Sequence, residues 1–208
     1  MPRAYFGLIL SLILFILLTW ELTRRARTAW IKRDVFLFAV LLWSAAVFAI
    51  TEGLSLFGQF RRWPVMTAWI ALLALQAGAY LYLLARRKAL NLARLVAFCR
   101  ERLRFPKLSA WGFACLLIIS LQLITLFWVA FVYPPTNYDS MTYHLPRIMH
   151  WEQNGSTAFY ATSIERQNEY QPFAEYVLAH LYLLANKDRW LNLLQWFALI
   201  LCAVGVSA

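Results

Sequence analysis

The chain is poor in charge, in cysteine and in glycine, and each shortage excludes a class of protein. Only 14% of its 208 residues are charged and 62% are hydrophobic, which leaves too little polar surface for a soluble globular domain. Its three cysteines, Cys99, Cys115 and Cys202, show neither metal-ligand nor redox spacing and imply no disulfide framework. Its seven glycines form no phosphate-binding loop. This composition is typical of an integral membrane protein.

Six apolar runs dominate the sequence, at residues 4–20, 35–57, 65–85, 111–133, 172–185 and 190–208. Most reach the roughly 17–25 residues that a helix needs to cross about 30 Å of hydrocarbon. The fifth run is shorter and contains Glu175 and His180. It is either a helix completed by the preceding polar residues or one that enters the bilayer only in part. We predict an all-α fold, a polytopic transmembrane bundle of about six spans.

The first run could also be a signal peptide, because a short basic segment precedes it. However, no small-x-small cleavage site follows Trp20, and the chain continues into a basic loop that is typical of a stop-transfer sequence. We therefore interpret the first run as a membrane span.

Lysine and arginine are concentrated on one side of the predicted bundle, which the positive-inside rule assigns to the cytoplasm. Most of the 20 basic residues follow the first, third and fifth runs: Arg24, Arg25, Arg27, Lys32 and Arg33; Arg86, Arg87, Lys88, Arg94, Arg100, Arg102, Arg104 and Lys107; Lys187 and Arg189. The other side carries only Arg3, Arg61, Arg62, Arg147 and Arg166. We expect the N-terminus and the loop at 134–171 to face away from the cytoplasm.

The net charge of +10 suggests an anionic partner. The basic residues adjoin membrane spans and match no nucleic-acid-binding module, so we expect anionic membrane lipids and no nucleic acid. Residues 89–104 place apolar side chains at helical spacing opposite arginines. This segment is either an amphipathic helix on the cytoplasmic surface or an extension of the third span.

The predicted spans divide the chain into three parts. Residues 1–133 hold four spans, the basic cytoplasmic loop and the amphipathic segment. Residues 134–171 form an extracytoplasmic loop with interfacial helices, and residues 172–208 hold two further spans. The last run reaches the final residue without a polar flank or a basic stop, so we expect the sequence to be part of a longer chain.

The outer loop contains a segment with helical character. Tyr143, Arg147 and His150 recur on one helical face, which leaves Leu145, Ile148 and Met149 available to the membrane. Because Pro146 suits the first turn of a helix, we expect the helix to begin near Leu145, with 139–144 as an irregular lead-in. Asn154-Gly155-Ser156 is either a glycosylation sequon or a helix end with Gly155 as a left-handed cap, and we favour the cap.

Ionisable residues gather in this loop and just beyond it. Arg147 and Arg166 can bind phosphate, or they can neutralise the acidic residues of the loop. Glu175 lies within an apolar run, where a carboxylate is costly, so we expect Glu175 and His180 to face the protein interior. His180 or Arg166 is the expected partner of Glu175.

An ordered series of short segments within 134–196, YDSMTYHLPR, HWEQNGS, RQ, QP, AEY, LAHL and DRWLNLLQW, resembles large bacterial membrane proteins grouped with the GT-C glycosyltransferases, the glycosyltransferase-39-like set. A weaker similarity lies in TEGLSLF at the end of the second run. The resemblance implies a bacterial inner-membrane enzyme that takes a sugar from a polyprenyl-phosphate carrier. The chain departs from that family in two ways: three further spans precede the aspartate loop, which follows the first span in the best-known members, and the family's enzymes carry many more spans than six. The resemblance therefore implies either the front part of a longer enzyme or a related protein whose catalytic half is missing.

The resemblance also implies roles for individual residues. By its position in YDSMTYH, Asp139 matches the aspartate at the reacting centre, where a carboxylate accepts the proton of the acceptor hydroxyl or orients that hydroxyl. The residues implied to bind the substrate, with the two arginines on the carrier phosphate, are Tyr143, His144, Arg147, Arg166, Gln167 and Glu175. No cofactor is implied, and no ligand spacing indicates a metal, although a divalent ion is left open.

A transporter subunit or a noncatalytic membrane scaffold would also be a basic-inside helical bundle. Against transport, the sequence has no paired spans broken by glycine or proline and no repeated charges that would line a path. The donor sugar, the acceptor and the oligomeric state stay open at this level.

Overall fold

The structure of the protein, a computed structural model, describes residues 6–25, 32–86 and 109–206. All regular elements in these ranges are helical, as predicted. Their bounds are α1 (Phe6–Arg25), α2 (Lys32–Leu56), α3 (Arg62–Ala85), α4 (Ala110–Val132), a π-helical turn (Ser140–His144), α5 (Leu145–Asn154), α6 (Arg166–Glu169), α7 (Phe173–Ala185) and α8 (Leu193–Val206). The amphipathic segment predicted at 89–104 and most of the basic loop around it lie outside the described residues.

The helices α1 to α4 are each long and apolar enough to cross a membrane, as expected for an integral membrane protein. Only a minority of their residues are buried in the chain alone, from 28% of the apolar window in α2 to 6% in α4, as expected for helices that face lipid. The last two helices are apolar but shorter, with 13 residues in α7 and 14 in α8.

The first three helices pack together as a bundle, in which α1 lies along both α2 and α3. The indole N–H of Trp43 in α2 donates to the carbonyl oxygen of Leu8 in α1 at 3.2 Å. The buried core then continues from α2 and α3 into α5 and α7 through Trp69, Ile148 and Leu184. The loop after α4 therefore lies on one end of the bundle and shares its core.

The ends of α5 agree with the sequence interpretation. Pro146 lies in the first turn, and Gly155 ends the helix in the left-handed region with φ of 68°. The lead-in is not irregular, because Ser140–His144 forms a π-helical turn whose carbonyl at Ser140 accepts from the N–H of Leu145.

The expected exposure of the apolar face of α5 to the membrane was wrong for Ile148. This side chain is fully buried and belongs to the core cluster, while Leu145 and Met149 pack against that cluster in part. The reason is that α5 packs against α7, so its apolar face is covered by protein.

The turn between α7 and α8 also differs from the prediction. The Nε of Arg189 donates to the carbonyl oxygen of Val132, the last residue of α4, and Asn192 donates to the carbonyl oxygen of Tyr133. The outer loop leaves α4 at this same end. Arg189 therefore cannot lie on the face opposite to the start of that loop, as the basic-residue pattern had suggested.

Candidate active site

The candidate site begins at the π-helical turn that follows Asp139. Asn137 initiates the turn, because its side-chain oxygen accepts from the backbone N–H of Ser140 at 2.8 Å. In this turn a residue bonds to the fifth residue along the chain, so the helix is locally wider than an α-helix. Such single π turns are frequent at functional sites.

The centre of the site is a buried carboxylate that pairs with two basic side chains. Glu175, in the first turn of α7, is 1% exposed. Its Oε1 lies 2.8 Å from Nδ1 of His144 and 3.5 Å from Nη1 of Arg147. The predicted burial of Glu175 is confirmed, but its partners are His144 and Arg147 and not His180 or Arg166.

Arg147 connects this carboxylate to the loop before α7. Its side chain is 3% exposed, and its Nη1 donates to the carbonyl oxygen of Tyr170 at 2.8 Å. Its guanidinium also lies over the ring of Trp151, 5.0 Å from the centroid. Arg147 Nε and Glu175 Oε2 are both buried and have no hydrogen-bond partner in the part of the chain that the structure describes.

Tyr143 lies between His144 and Tyr170. Its ring centroid is 4.1 Å from that of His144, and it meets Tyr170 edge-on at 5.4 Å. Burial raises the pKa of the Tyr143 hydroxyl, and the charge of Asp139 raises it further, while Arg166 acts in the opposite direction. The phenol is therefore neutral at physiological pH and can donate a hydrogen bond.

Two of the candidate residues carry charged groups that are exposed to solvent. Asp139 and Arg166 are both exposed, and neither side chain makes a hydrogen bond or ion pair with any residue in the described ranges. Asp139 directly precedes the turn that holds Tyr143, and Arg166 begins α6, which is bonded to the same turn through Gln167. An anion and a cation are thus available at the rim of the site.

Gln167 has a different position from that expected of a substrate-binding residue. Its side-chain oxygen accepts from Tyr160 and Thr162, each at 3.0 Å, and its nitrogen donates to the carbonyl oxygen of Thr142 at 2.7 Å. The side chain is buried and engaged with protein at both ends. Gln167 therefore links α6 to the π-helical turn and fixes the relative positions of these two elements.

An open cavity of about 270 Å³ lies beside Arg147. Aromatic side chains of the loop and of α7 line it together with polar groups: Arg147, Trp151, Thr157, Phe159, Asn168, Glu169, Tyr170, Gln171, Pro172 and Tyr176. The cavity walls thus combine aromatic rings with a similar share of polar and charged side chains.

A second polar cluster lies deeper, between α7 and the bundle. The indole N–H of Trp69 donates to Nδ1 of His180 at 2.7 Å, so the ring proton is on Nε2, which lies 2.8 Å from the hydroxyl oxygen of Thr51. His180 is fully buried, which confirms the prediction that it faces the interior. Because both of its nitrogens are occupied by protein, this histidine anchors α7.

The sequence interpretation did not identify the partners of α7 on α2. Besides Thr51, the carboxylate of Glu52 accepts a hydrogen bond from the hydroxyl of Tyr176. A signal was present, because Glu52, like Glu175, is a carboxylate within an apolar run.

Comparison of the chain with family models, curated proteins and solved structures found no match. In the part of the chain that the structure describes, no three histidine, cysteine or acidic side chains are grouped as metal ligands.

Proposed function

We propose that the protein transfers a sugar from a polyprenyl-phosphate carrier to an acceptor on the outer side of a bacterial inner membrane, as a GT-C type glycosyltransferase. The observation that supports this function best is the gathering of Asp139, Tyr143, His144, Arg147, Arg166 and Glu175 around one site at an end of the membrane helices. A donor with a lipid tail and a charged headgroup requires a polar site at this boundary.

The charges suit the two halves of the reaction. The open carboxylate of Asp139 is the catalytic or acceptor-orienting group, and the open guanidinium of Arg166 binds the carrier phosphate. Arg147 is the second arginine on the carrier phosphate: its guanidinium pairs with Glu175, donates to the carbonyl oxygen of Tyr170 and lines the adjoining cavity. The cavity beside Arg147 provides space for a sugar ring.

The proposal includes a topology. The positive-inside rule places the basic loop between α3 and α4 in the cytoplasm, with anionic lipids as its partner, and the N-terminus and the outer loop on the other side. The helix α7 is about 20 Å long, shorter than the roughly 30 Å of hydrocarbon. We place it as a helix that begins and ends on the outer side, and α8 as the next crossing.

The test is a transfer assay on the intact protein in lipid, with a panel of polyprenyl-phosphate sugars. Asp139→Asn is expected to lower the transfer rate by about 10²–10⁴-fold, as for loss of a positioned catalytic group, without affecting membrane insertion. The matched control is Asp188→Asn, because Asp188 is an exposed aspartate in the turn after α7.

An unchanged rate in correctly inserted Asp139→Asn would contradict the role of Asp139. Absence of transfer by the unmodified protein from every donor of the panel would favour a noncatalytic scaffold or a transporter subunit.

A further inference from the structure

Among the ionisable side chains of the site, His144 combines a hydrogen bond to a buried partner with partial exposure of its own ring to solvent. Its Nδ1 lies 2.8 Å from Oε1 of Glu175, and its side chain is 29% exposed, against 1% for that of Glu175. Its ring lies against Tyr143 at 4.1 Å between centroids, so its orientation is restricted. Its Nε2 makes no hydrogen bond with any residue in the ranges that the structure describes.

This contact determines the tautomer of the ring. Glu175 is paired with the guanidinium of Arg147 as a carboxylate, which only accepts hydrogen bonds, so Nδ1 of His144 carries the proton and donates a hydrogen bond to Glu175. The neutral imidazole then has its lone pair on Nε2, the unoccupied nitrogen. A carboxylate that fixes a histidine in this way also stabilises the imidazolium that forms when Nε2 takes a proton.

We propose that His144 is the general base of this site and that Glu175 is its positioning residue. The inference rests on the proposed function and divides the chemistry within it: His144 takes the proton, and Asp139 orients the acceptor. In the transfer step the acceptor oxygen forms a bond to the anomeric carbon. The bond from that carbon to the phosphate oxygen breaks, and its electron pair stays on the phosphate. The acceptor proton passes to Nε2 of His144, which later releases it to water.

Several charged and titratable groups surround this ring. Glu175 pairs with it from α7, Arg147 of α5 pairs with the same carboxylate, and the ring of Tyr143 lies against it at a tilt of 44° from the same turn. Around Tyr143 lie the remaining groups, Asp139, Arg166 and Tyr170. The role of His144 is therefore tested by comparison with variants of two of these neighbours, Glu175 and Asp139.

The first experiment measures the tautomer and needs no activity. Long-range ¹H–¹⁵N spectra of the intact protein with ¹⁵N-labelled histidine are expected to show His144 protonated on Nδ1. His180 provides an internal control with the opposite tautomer, because its Nδ1 accepts from Trp69. In Glu175→Gln the His144 signal is expected to become a mixture of tautomers, while that of His180 stays unchanged. Protonation of His144 on Nε2 in the unmodified protein would overturn the proposal.

The second experiment measures transfer against pH. His144→Gln is expected to lower kcat by about 10²–10⁴-fold and to remove the ascending limb of the pH–rate profile. Asp139→Asn is expected to lower the rate but to keep that limb. The control is His150→Gln, whose ring stacks on Tyr160 and is not part of the pair.

The outcomes separate the two proposals. Transfer that keeps its ascending limb in His144→Gln and loses it in Asp139→Asn would overturn the role of His144 alone. Absence of transfer by the unmodified protein would overturn the proposed function and, with it, the assignment of this base.

Discussion

Arg147 and Glu175 are a buried ion pair whose members depend on each other. Their side chains are 3% and 1% exposed, so neither charge is screened by water. The attraction within such a pair is largely offset by the cost of removing both ions from water. Removal of one partner is far more costly than removal of both, because the remaining ion stays buried without its counterpart.

We therefore expect Arg147→Met to lower the free energy of unfolding by about 3–5 kcal/mol. Glu175→Gln in the same background is expected to recover a large part of that loss, since no charge then stays buried. Chemical denaturation of the four variants in detergent measures the coupling as a double-mutant cycle. Additive losses from the two substitutions would show that the pair does not interact.

The pairing of Glu175 also shows what a sequence can and cannot predict at the scale of one residue. Its burial follows from its own neighbours, because a carboxylate within an apolar run must avoid lipid. Its partners depend on where α5 crosses α7, and the contacts with His144 and Arg147 span 31 and 28 positions of sequence. No local pattern contains that crossing, so the partners expected from proximity in sequence were wrong.

At the scale of elements, the connection between α2 and α3 is tied to the end of α5. The backbone N–H of Phe60 donates to the carbonyl oxygen of Gly155 at 2.8 Å, and the hydroxyl of Ser55 accepts from the N–H of Thr157 at 2.9 Å. These bonds fix the outer loop to the membrane helices. They make Gly155 a contact point as well as a helix cap.

Gly155 is expected to tolerate no side chain. An added methyl group would collide with the carbonyl group of Gly58, and φ is 68°, a conformation that costs other residues about 1–2 kcal/mol. Gly58 is a matched control, because its φ is 64° but an added methyl group would meet no atom within 4 Å. Gly155→Ala should therefore destabilise the protein more than Gly58→Ala does, as measured by thermal unfolding in detergent. Equal losses would mean that the contact between the two glycines contributes nothing.

The sequence predicts such elements well where the cause is local. Length and apolarity are enough for α1 to α4, and Pro146 and Gly155 are enough for the two ends of α5. The burial of Ile148 could not be predicted in this way, because the same apolar face fits either lipid or protein. Only the packing of α7 against α5 decides between them.

At the scale of the whole molecule, the side on which each loop lies depends on whether α7 crosses the membrane. The basic-residue pattern treats Lys187 and Arg189 as cytoplasmic, as it would for any basic turn after a span. The structure places Arg189 on the last carbonyl of α4, and the ring of Trp196 donates to the carbonyl oxygen of Leu123 further down the same helix. The helix α8 thus runs antiparallel to α4 from that end.

This arrangement predicts that the turn after α7 lies on the same side as the outer loop. Single cysteines at Ala158, Lys187 and Ala89 are introduced into a chain that lacks Cys99, Cys115 and Cys202, and are labelled with an impermeant thiol reagent in oriented vesicles. Ala158→Cys and Lys187→Cys are both at exposed positions and are expected to react from the outer side. Ala89→Cys, in the basic loop, is expected to react only from the other side. Labelling of Lys187→Cys together with Ala89→Cys would show that α7 crosses the membrane, and the proposed position of α8 would then be wrong.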